Sequence, residues 1–215
     1  MKNKKFTALL LITMLLLSCV VTGCGKEFTA KESAQIYWEL GSGDMSNISK
    51  INMKEEDAKA DIEKNKAEGI KDFKAQYAAQ GLTATDEQIS KLLDASAELL
   101  KKATVTIEEV SNDGKSAQIK YKTTYVDMIK LATKAKNDAL ESVKALGLTD
   151  QKQAMDKYSE LYLENLVNEL KNATFSEDTK EKTYTFTKKD KIWVPDGDQK
   201  EFVKNLGELV SGQAK

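Results

Sequence analysis

The chain has 215 residues, 31% of them charged, and its cations are all lysine, because arginine and histidine are both missing. Without these two residues the chain has no imidazole base, no nitrogen ligand of the kind zinc prefers, and no guanidinium to clamp a phosphate. The net charge of −1 argues against a nucleic-acid partner, which needs a basic face, and no run of the sequence is basic enough to predict binding to anionic lipid.

The first 23 residues have the form of a bacterial secretory signal peptide. Lys2, Lys4 and Lys5 form a short basic start, and residues 6–17 follow as an apolar run. A run of this length is too short to span a bilayer core of about 30 Å as a helix. We therefore predict that residues 1–23 are a cleaved leader rather than a permanent anchor.

The end of the leader, Val21-Thr22-Gly23-Cys24, resembles the lipobox of bacterial lipoproteins. The resemblance implies cleavage before Cys24 and a diacylglycerol on its sulfur, so that acyl chains such as palmitate hold the protein on the outer face of the cell membrane. Two acyl chains make such attachment stable, whereas one chain is marginal. Cys19 is a weaker candidate, because it lies too close to the apolar run, and an ordinary signal peptide is the remaining alternative.

The mature chain is predicted to be a short tether, residues 24–28, followed by a single domain over residues 29–215. Since both cysteines lie in or next to the leader, this domain has no disulfide and no catalytic thiol. Thr29 and Glu32 have the spacing of a capping box, which begins a first helix that ends near Gly41.

Two more helices and a β-hairpin follow. A thin apolar stripe predicts a long polar helix over about residues 53–80, and Thr85 and Gln88 cap the next one. The period of the apolar residues then changes to two, and Asn112-Asp113-Gly114 supplies a hairpin turn. The residues expected on one face of the second strand are Ala117, Ile119, Tyr121, Thr123 and Tyr125.

The helical period returns at Asp127. The pattern predicts a helix that ends at Gly147, a partner helix over about residues 150–172, a second pair of strands around residues 184–194, and a final helix from Asp198. Helices in runs and strands in hairpins are typical of the α+β class, with helical hairpins packed on a small antiparallel sheet.

The two halves of the domain, about residues 53–126 and 127–210, resemble each other at corresponding points. Gly81-Leu-Thr83 between two helices is matched by Gly147-Leu-Thr149 between the next two. Duplication of a unit with two helices and two strands is one interpretation, and chance recurrence of common residues is the other.

Acidic residues are the main candidates for chemistry. Pairs such as Glu108-Glu109 could serve as acid and base in a hydrolase, although surface charge explains most such pairs. Asp196-Gly-Asp198 suggests a calcium loop, but Gln199 and Lys200 interrupt the ligand series, so we interpret it as a turn in which Asp198 caps the last helix. We therefore predict no catalytic residue, no metal site and no cofactor.

Tyr121, Tyr125 and Trp193 are the candidate ligand pocket. Tyr121 and Tyr125 are expected on the same inward face as Ile119, where each hydroxyl would require a partner or a wet cavity. Core packing is the alternative for these aromatic residues, as it is for the others in the chain.

Three segments of the mature chain, residues 29–34, 110–121 and 186–195, resemble a group of Gram-positive lipoproteins that carry a domain of unknown function. Some of these look like the cone-shaped fold of nuclear transport factor 2, in which a curved sheet surrounds a pocket. The resemblance implies that fold here, with residues 127–172 as a helical insertion between strands. It implies no catalytic residue.

Together these features predict a membrane-anchored, non-enzymatic module outside the cell, which binds a protein, a peptide or a small molecule of the envelope. The membrane is its predicted partner through Cys24, and nucleic acid is not. An envelope hydrolase that uses paired carboxylates is the alternative.

Overall fold

The structure is a computed structural model, and it describes residues 27–47, 54–189 and 191–213. Cys24, the leader and most of the tether lie outside the described residues, and so do the predictions made for them. In chain order the described elements are α1 (Ala30–Gly41), α2 (Glu55–Ala78), α3 (Asp86–Lys102), β1 (Val105–Asn112), β2 (Ser116–Thr124), α4 (Met128–Ala145), α5 (Gln151–Lys171), β3 (Thr179–Lys189), β4 (Ile192–Pro195) and α6 (Gln199–Val210).

The four strands form one antiparallel sheet in the order β1-β2-β3-β4. Ile107 of β1 lies opposite Tyr121 of β2, and Ala117 of β2 lies opposite Phe186 of β3. Helices α4 and α5 are inserted between the two central strands. The α+β class is therefore confirmed, and so is the helical insertion between strands, while the finer likeness to a cone-shaped fold stays a prediction.

Three of the predicted helix caps are present. Thr29 Oγ1 accepts a hydrogen bond from Glu32 N at 3.1 Å, and the Glu32 carboxylate accepts one from Thr29 N at 2.8 Å. The side chains of Thr85 and Gln88 make the same reciprocal pair. Asp198 Oδ1 accepts from Glu201 N at 2.9 Å, so the turn interpretation of this aspartate is confirmed. These contacts satisfy backbone donors that have no partner inside the helix.

The predicted alternation along β2 is also present. Ala117, Ile119, Tyr121 and Thr123 are at most 1% exposed. Lys122 points to the opposite face of the sheet and is exposed. One face of the sheet is therefore buried and the other is polar, as in antiparallel sheets with a single covered face.

The buried residues form two clusters. Helices α1 and α6 pack on the inner face of the sheet and enclose the sheet core, whereas α2, α3, α4 and α5 pack on one another and enclose a helical core. Leu99 of α3 belongs to the helical core and Leu100 to the sheet core, so α3 joins the two. The largest members of the sheet core are Trp38, Tyr121, Phe186, Trp193 and Phe202.

The two ends of the sheet differ. At one end, which we call the bundle end, the strands connect to α3, α4 and α5, and Ser176 N donates to Tyr125 O at 2.7 Å. At the other end, the turn end, lie the β1–β2 turn and the β3–β4 turn. Phe28 N donates to Lys191 O at 2.9 Å there, so the described chain begins at the turn end.

The order of two helices and two strands occurs twice, from α2 to β2 and from α4 to β4. Gly81 and Gly147, which occupy matching positions, both have positive φ angles, +75° and +62°. The leucines that follow them differ, since Leu82 is buried and Leu148 is 38% exposed. Duplication stays a prediction.

Among the described residues, none of the helices combines the length and the apolar character that crossing a bilayer requires.

The close packing of Gly212 against the bundle end can be tested with Gly212→Ala. At the φ of +69° found there, a Cβ atom would lie 2.7 Å from Tyr125 Cδ2 and 3.2 Å from Val126 O. Left-handed backbone costs a non-glycine residue about 1 kcal/mol, and overpacking adds about 1–3 kcal/mol. We expect the free energy of unfolding, measured in urea, to fall by the sum of the two.

Gly147→Ala is the matched control. Gly147 also has a positive φ, +62°, but a Cβ atom added there would have no neighbour within 4 Å. Only the backbone cost of about 1 kcal/mol applies to it. Equal losses in the two variants would contradict the packing described for Gly212.

Candidate functional site

Tyr121, the first residue of the predicted pocket, lies in the sheet core and has no exposed surface. Its hydroxyl donates to Ala34 O at 2.9 Å, and burial raises the pKa of this phenol well above its usual value. The centroid of its ring lies 5.6–6.5 Å from those of Trp38, Tyr184 and Phe202. The centroids of Tyr184 and Phe202 are 5.0 Å apart. Packing and one hydrogen bond therefore account for Tyr121.

Trp193 lies in the same core and is 4% exposed. Its backbone N donates to Ser33 Oγ at 3.2 Å, which fixes β4 against α1. Lys188 Nζ lies 5.9 Å from its ring centroid.

Tyr125 is half-buried and directly follows the end of β2. Strand β2 ends at Thr124, and the Tyr125 ring centroid lies 5.7 Å from Nζ of Lys180, which is paired with Thr123 of the buried row, so the expectation that Tyr125 lies on the inner side stays a prediction. The chain turns here because Tyr125 O accepts from Ser176 N and Val126 N donates to Val210 O, contacts that replace sheet pairing. Tyr121 lies opposite Lys182 of β3 and Trp193 opposite Lys188, six residues further along that strand, so the two belong to one core without being adjacent. A ligand pocket at Tyr121, Tyr125 and Trp193 stays a prediction.

A cleft of about 500 Å³ lies where the C-terminal ends of α1 and α3 meet. Helix α1 ends at Gly41, and Gly43 has a φ of +78°, a backbone conformation that glycine adopts easily. This reversal lets Asp44 N donate to Glu39 O at 2.8 Å and brings the next residues back toward α3. The lining includes Trp38, Glu39, Asp44, Met45, Leu100 and Lys101.

Two carboxylates of the cleft are held by hydrogen bonds. Glu39 Oε1 accepts from Gln35 Nε2 at 3.0 Å, and its Oε2 accepts from Asn47 Nδ2 at 2.6 Å. Asp44 Oδ1 accepts from Ser46 N at 2.9 Å. This bond to Ser46, with a smaller contribution from the charge of Lys101, holds the pKa of Asp44 below its usual value. Asp44 is therefore ionised at neutral pH.

The electrostatic field in the cleft favours a positively charged group. The C-terminal end of a helix carries a partial negative charge, and α1 has no basic residue in its last turn to offset it. Lys101 is the cation in the lining, and its Nζ is bonded to Glu98 Oε1 at 2.8 Å. Trp38 and Leu100, both nearly buried, supply an apolar floor. The cleft can thus accommodate an apolar group that ends in a cation.

The part of the chain that the structure describes contains no group of three or more cysteine, aspartate and glutamate residues able to hold a metal ion.

The sequence does not predict this cleft. Glu39 and Asp44 have the pattern of ordinary surface acids. The feature of the sequence that relates to the cleft is the pair Gly41 and Gly43 around Ser42. This pair predicts that the chain reverses direction where α1 ends, but it does not predict that the reversed segment packs near α3.

Comparison with known proteins identifies a fold but no family. No family model matches the chain, and no curated protein matches it either. Among solved structures, the chain is similar to a putative lipoprotein (ycdA) from Bacillus subtilis subsp. subtilis str. 168, with a TM-score of 0.63 and 16% sequence identity. The alignment covers 84% of this chain and 55% of the other, so this chain spans about half the length of that protein. At this identity the likeness establishes the fold.

The structural role of Tyr121 can be tested with Tyr121→Phe. The substitution removes the buried hydrogen bond to Ala34 O, which should lower the free energy of unfolding by about 1 kcal/mol. Denaturation in urea, followed by fluorescence or circular dichroism, measures the change.

Tyr184→Phe is the matched control in the same aromatic group. The Tyr184 hydroxyl is buried and has no hydrogen-bond partner within the described residues. Its removal should leave stability unchanged or increase it, because a buried polar group without a partner is itself costly. If Tyr121→Phe proved as harmless as Tyr184→Phe, the hydrogen bond would not contribute to stability.

Proposed function

We propose that this chain is a lipoprotein, held by acyl chains on Cys24 at the extracytoplasmic face of a Gram-positive cell membrane, and that its folded part is a non-enzymatic binding module. One observation carries the proposal. The lipobox-like sequence ends at Cys24, and the fold makes its first contacts at Glu27 and Phe28, so leader, anchor and domain follow one another almost without a linker.

The contacts at the start of the fold support this arrangement. Phe28 N donates to Lys191 O at 2.9 Å, and the Glu27 carboxylate pairs with Lys188 Nζ. A lipid on Cys24 would thus be attached to the turn end of the sheet. The similarity of the fold to a protein described as a lipoprotein agrees with the proposal.

The anchor is tested with Cys24→Ser. Since the sulfur carries the acyl chains, the variant should leave the membrane fraction or accumulate as uncut precursor, whereas Cys19→Ser should behave like the parent. Mass spectrometry of the parent should find a diacylated N-terminal Cys24. Firm membrane attachment of a Cys24→Ser protein from which the leader has been removed would refute the proposal, and loss of attachment in Cys19→Ser would move the anchor to that residue.

The cleft between α1 and α3 is the binding site in this proposal. Its two fixed carboxylates and apolar floor suit a ligand with a positive charge at the end of an apolar segment. A lysine or arginine side chain of an envelope protein or peptide has this chemistry.

An envelope hydrolase is the second candidate, and the observation that favours it is the presence of two carboxylates in one open cleft. A carboxyl acid–base pair needs one member that keeps its proton near neutral pH. The lowered pKa of Asp44 suits it to the role of base or nucleophile.

The double variant Glu39→Gln with Asp44→Asn separates these functions. If the cleft binds a cationic side chain, the amount of partner captured from crosslinked membranes should fall by about tenfold, which corresponds to the loss of about 1.4 kcal/mol of binding free energy. The matched control is Glu63→Gln with Asp72→Asn, two exposed acids of α2, which changes the net charge equally and should capture as much as the parent.

Two results would count against the binding module. One is capture by the parent no greater than by an unrelated lipoprotein. The other is turnover of chromogenic ester or glycoside substrates by the parent that the double variant abolishes and the control retains, which would establish the hydrolase instead.

A further inference from the structure

Four lysines meet at the turn end of the sheet, although they come from distant parts of the sequence. Lys115 lies in the β1–β2 turn, and Lys188, Lys189 and Lys191 lie around the β3–β4 turn. Lys188 N donates to Lys115 O at 2.9 Å, so the two turns are in contact. We call these four residues the lysine end.

The lysine end is more basic than the rest of the protein. Lys115, Lys189 and Lys191 are exposed, and Lys188 pairs with Glu27. Two further described acids lie here. Asp196 Oδ1 accepts from Thr187 Oγ1, and Asp113 Oδ1 accepts from the backbone N of Lys115 at 2.8 Å and of Ser116 at 2.7 Å, which keeps the pKa of Asp113 low and the group charged.

The formal charges of the whole mature chain show the same asymmetry. The described residues at the turn end, numbers 27, 113–115, 187–189, 191 and 196, contain four lysines and three acids. The remainder of the chain after the leader contains 26 lysines and 31 acids. One end is therefore positive and the rest of the protein is negative.

The proposed anchor is close in sequence to the positive end. Cys24 is three residues before Glu27, and three extended residues span at most about 10 Å. Phe28 is bonded to Lys191, so a lipid on Cys24 would bring the bilayer surface to the lysine end. That separation is comparable to the Debye length of about 10 Å at 0.1 M salt, so the charges of the lysine end interact with the lipid headgroups.

We propose that the lysine end docks on anionic lipid headgroups beside the anchor and thereby fixes the orientation of the domain on the membrane. The proposal rests on the lipidation of Cys24. Anionic headgroups attract the lysine end and repel the acidic remainder, so one orientation is favoured.

This orientation turns the bundle end away from the membrane. Helix α4 leaves the sheet at Met128 and extends about 27 Å to its other end, at a rise of 1.5 Å per residue. The loop it reaches carries Leu146 and Leu148, which are 52% and 38% exposed. The apolar tip of the α4–α5 hairpin would thus face outward, where a partner could reach it.

The orientation can be measured by energy transfer on the full, lipidated protein in vesicles. Because Cys24 is the only cysteine after the leader and its sulfur would be acylated, a new cysteine can be labelled selectively. A donor dye is placed at the turn end with Ser111→Cys or at the outer tip with Ala145→Cys, and the acceptor is a dye-bearing lipid. Vesicles consist of phosphatidylcholine alone or of phosphatidylcholine with phosphatidylglycerol.

The transfer efficiency at position 111 should rise when phosphatidylglycerol is present, and the transfer efficiency at position 145 should fall. High salt should remove both changes.

The effect of phosphatidylglycerol should be lost in the triple variant Lys115→Glu/Lys189→Glu/Lys191→Glu. The variant with glutamine at the same three positions should retain part of the effect. Lys71→Glu/Lys130→Glu/Lys144→Glu, whose exposed lysines lie on α2 and α4, makes the same change in net charge and should keep the effect. Thermal melts of all variants should match that of the parent.

Three outcomes would overturn the proposal. Equal transfer with and without phosphatidylglycerol in a protein shown to carry its acyl chains would refute the orientation and leave the anchor intact. The same loss in the control triple variant would show that net charge, not the lysine end, is responsible. An N-terminus without acyl chains would remove the proposed function and this inference together.

Discussion

The pairing of β2 with β3 is the contact on which the rest of the structure depends. It joins Ser116–Thr124 to Thr179–Thr187 across the whole α4–α5 insertion, so the two hairpins form a single sheet. The inner row of β2 then has Phe186 and Tyr184 beside it, and α1 and α6 can cover a continuous apolar surface. Without this pairing each hairpin would be two-stranded and too small to be stable by itself.

The same pairing divides the molecule into two ends with different properties. The hairpin turns and the first described residues, Glu27 and Phe28, meet at the turn end, while the connections to the helical core leave from the bundle end. The proposed anchor at the turn end, with a helical bundle at the bundle end, would suit a protein that is held on a surface and presents its far side to the surroundings. The cleft lies beside the sheet core, where α1 and α3 end.

Polar contacts account for some features that could otherwise be taken as signs of chemistry. Tyr121 has a partner in Ala34 O, Asp198 caps α6, and Asp113 stabilises the β1–β2 turn through two backbone donors. Each of these side chains satisfies a hydrogen-bonding need of the fold. The Glu39 and Asp44 pair differs, because it borders an open space large enough for a ligand.

The sequence by itself determined the features that depend on near neighbours along the chain. Helix caps such as Thr29 with Glu32, the alternation of β2 and the turn before Asp198 involve residues two to four positions apart, so their patterns are visible in the sequence. Only the tertiary structure decided that Tyr125 leaves the sheet, that Asp44 returns to α3, and that Lys115 meets Lys188. Those contacts join residues that are far apart in the chain, and they depend on how the elements pack, which local propensity does not specify.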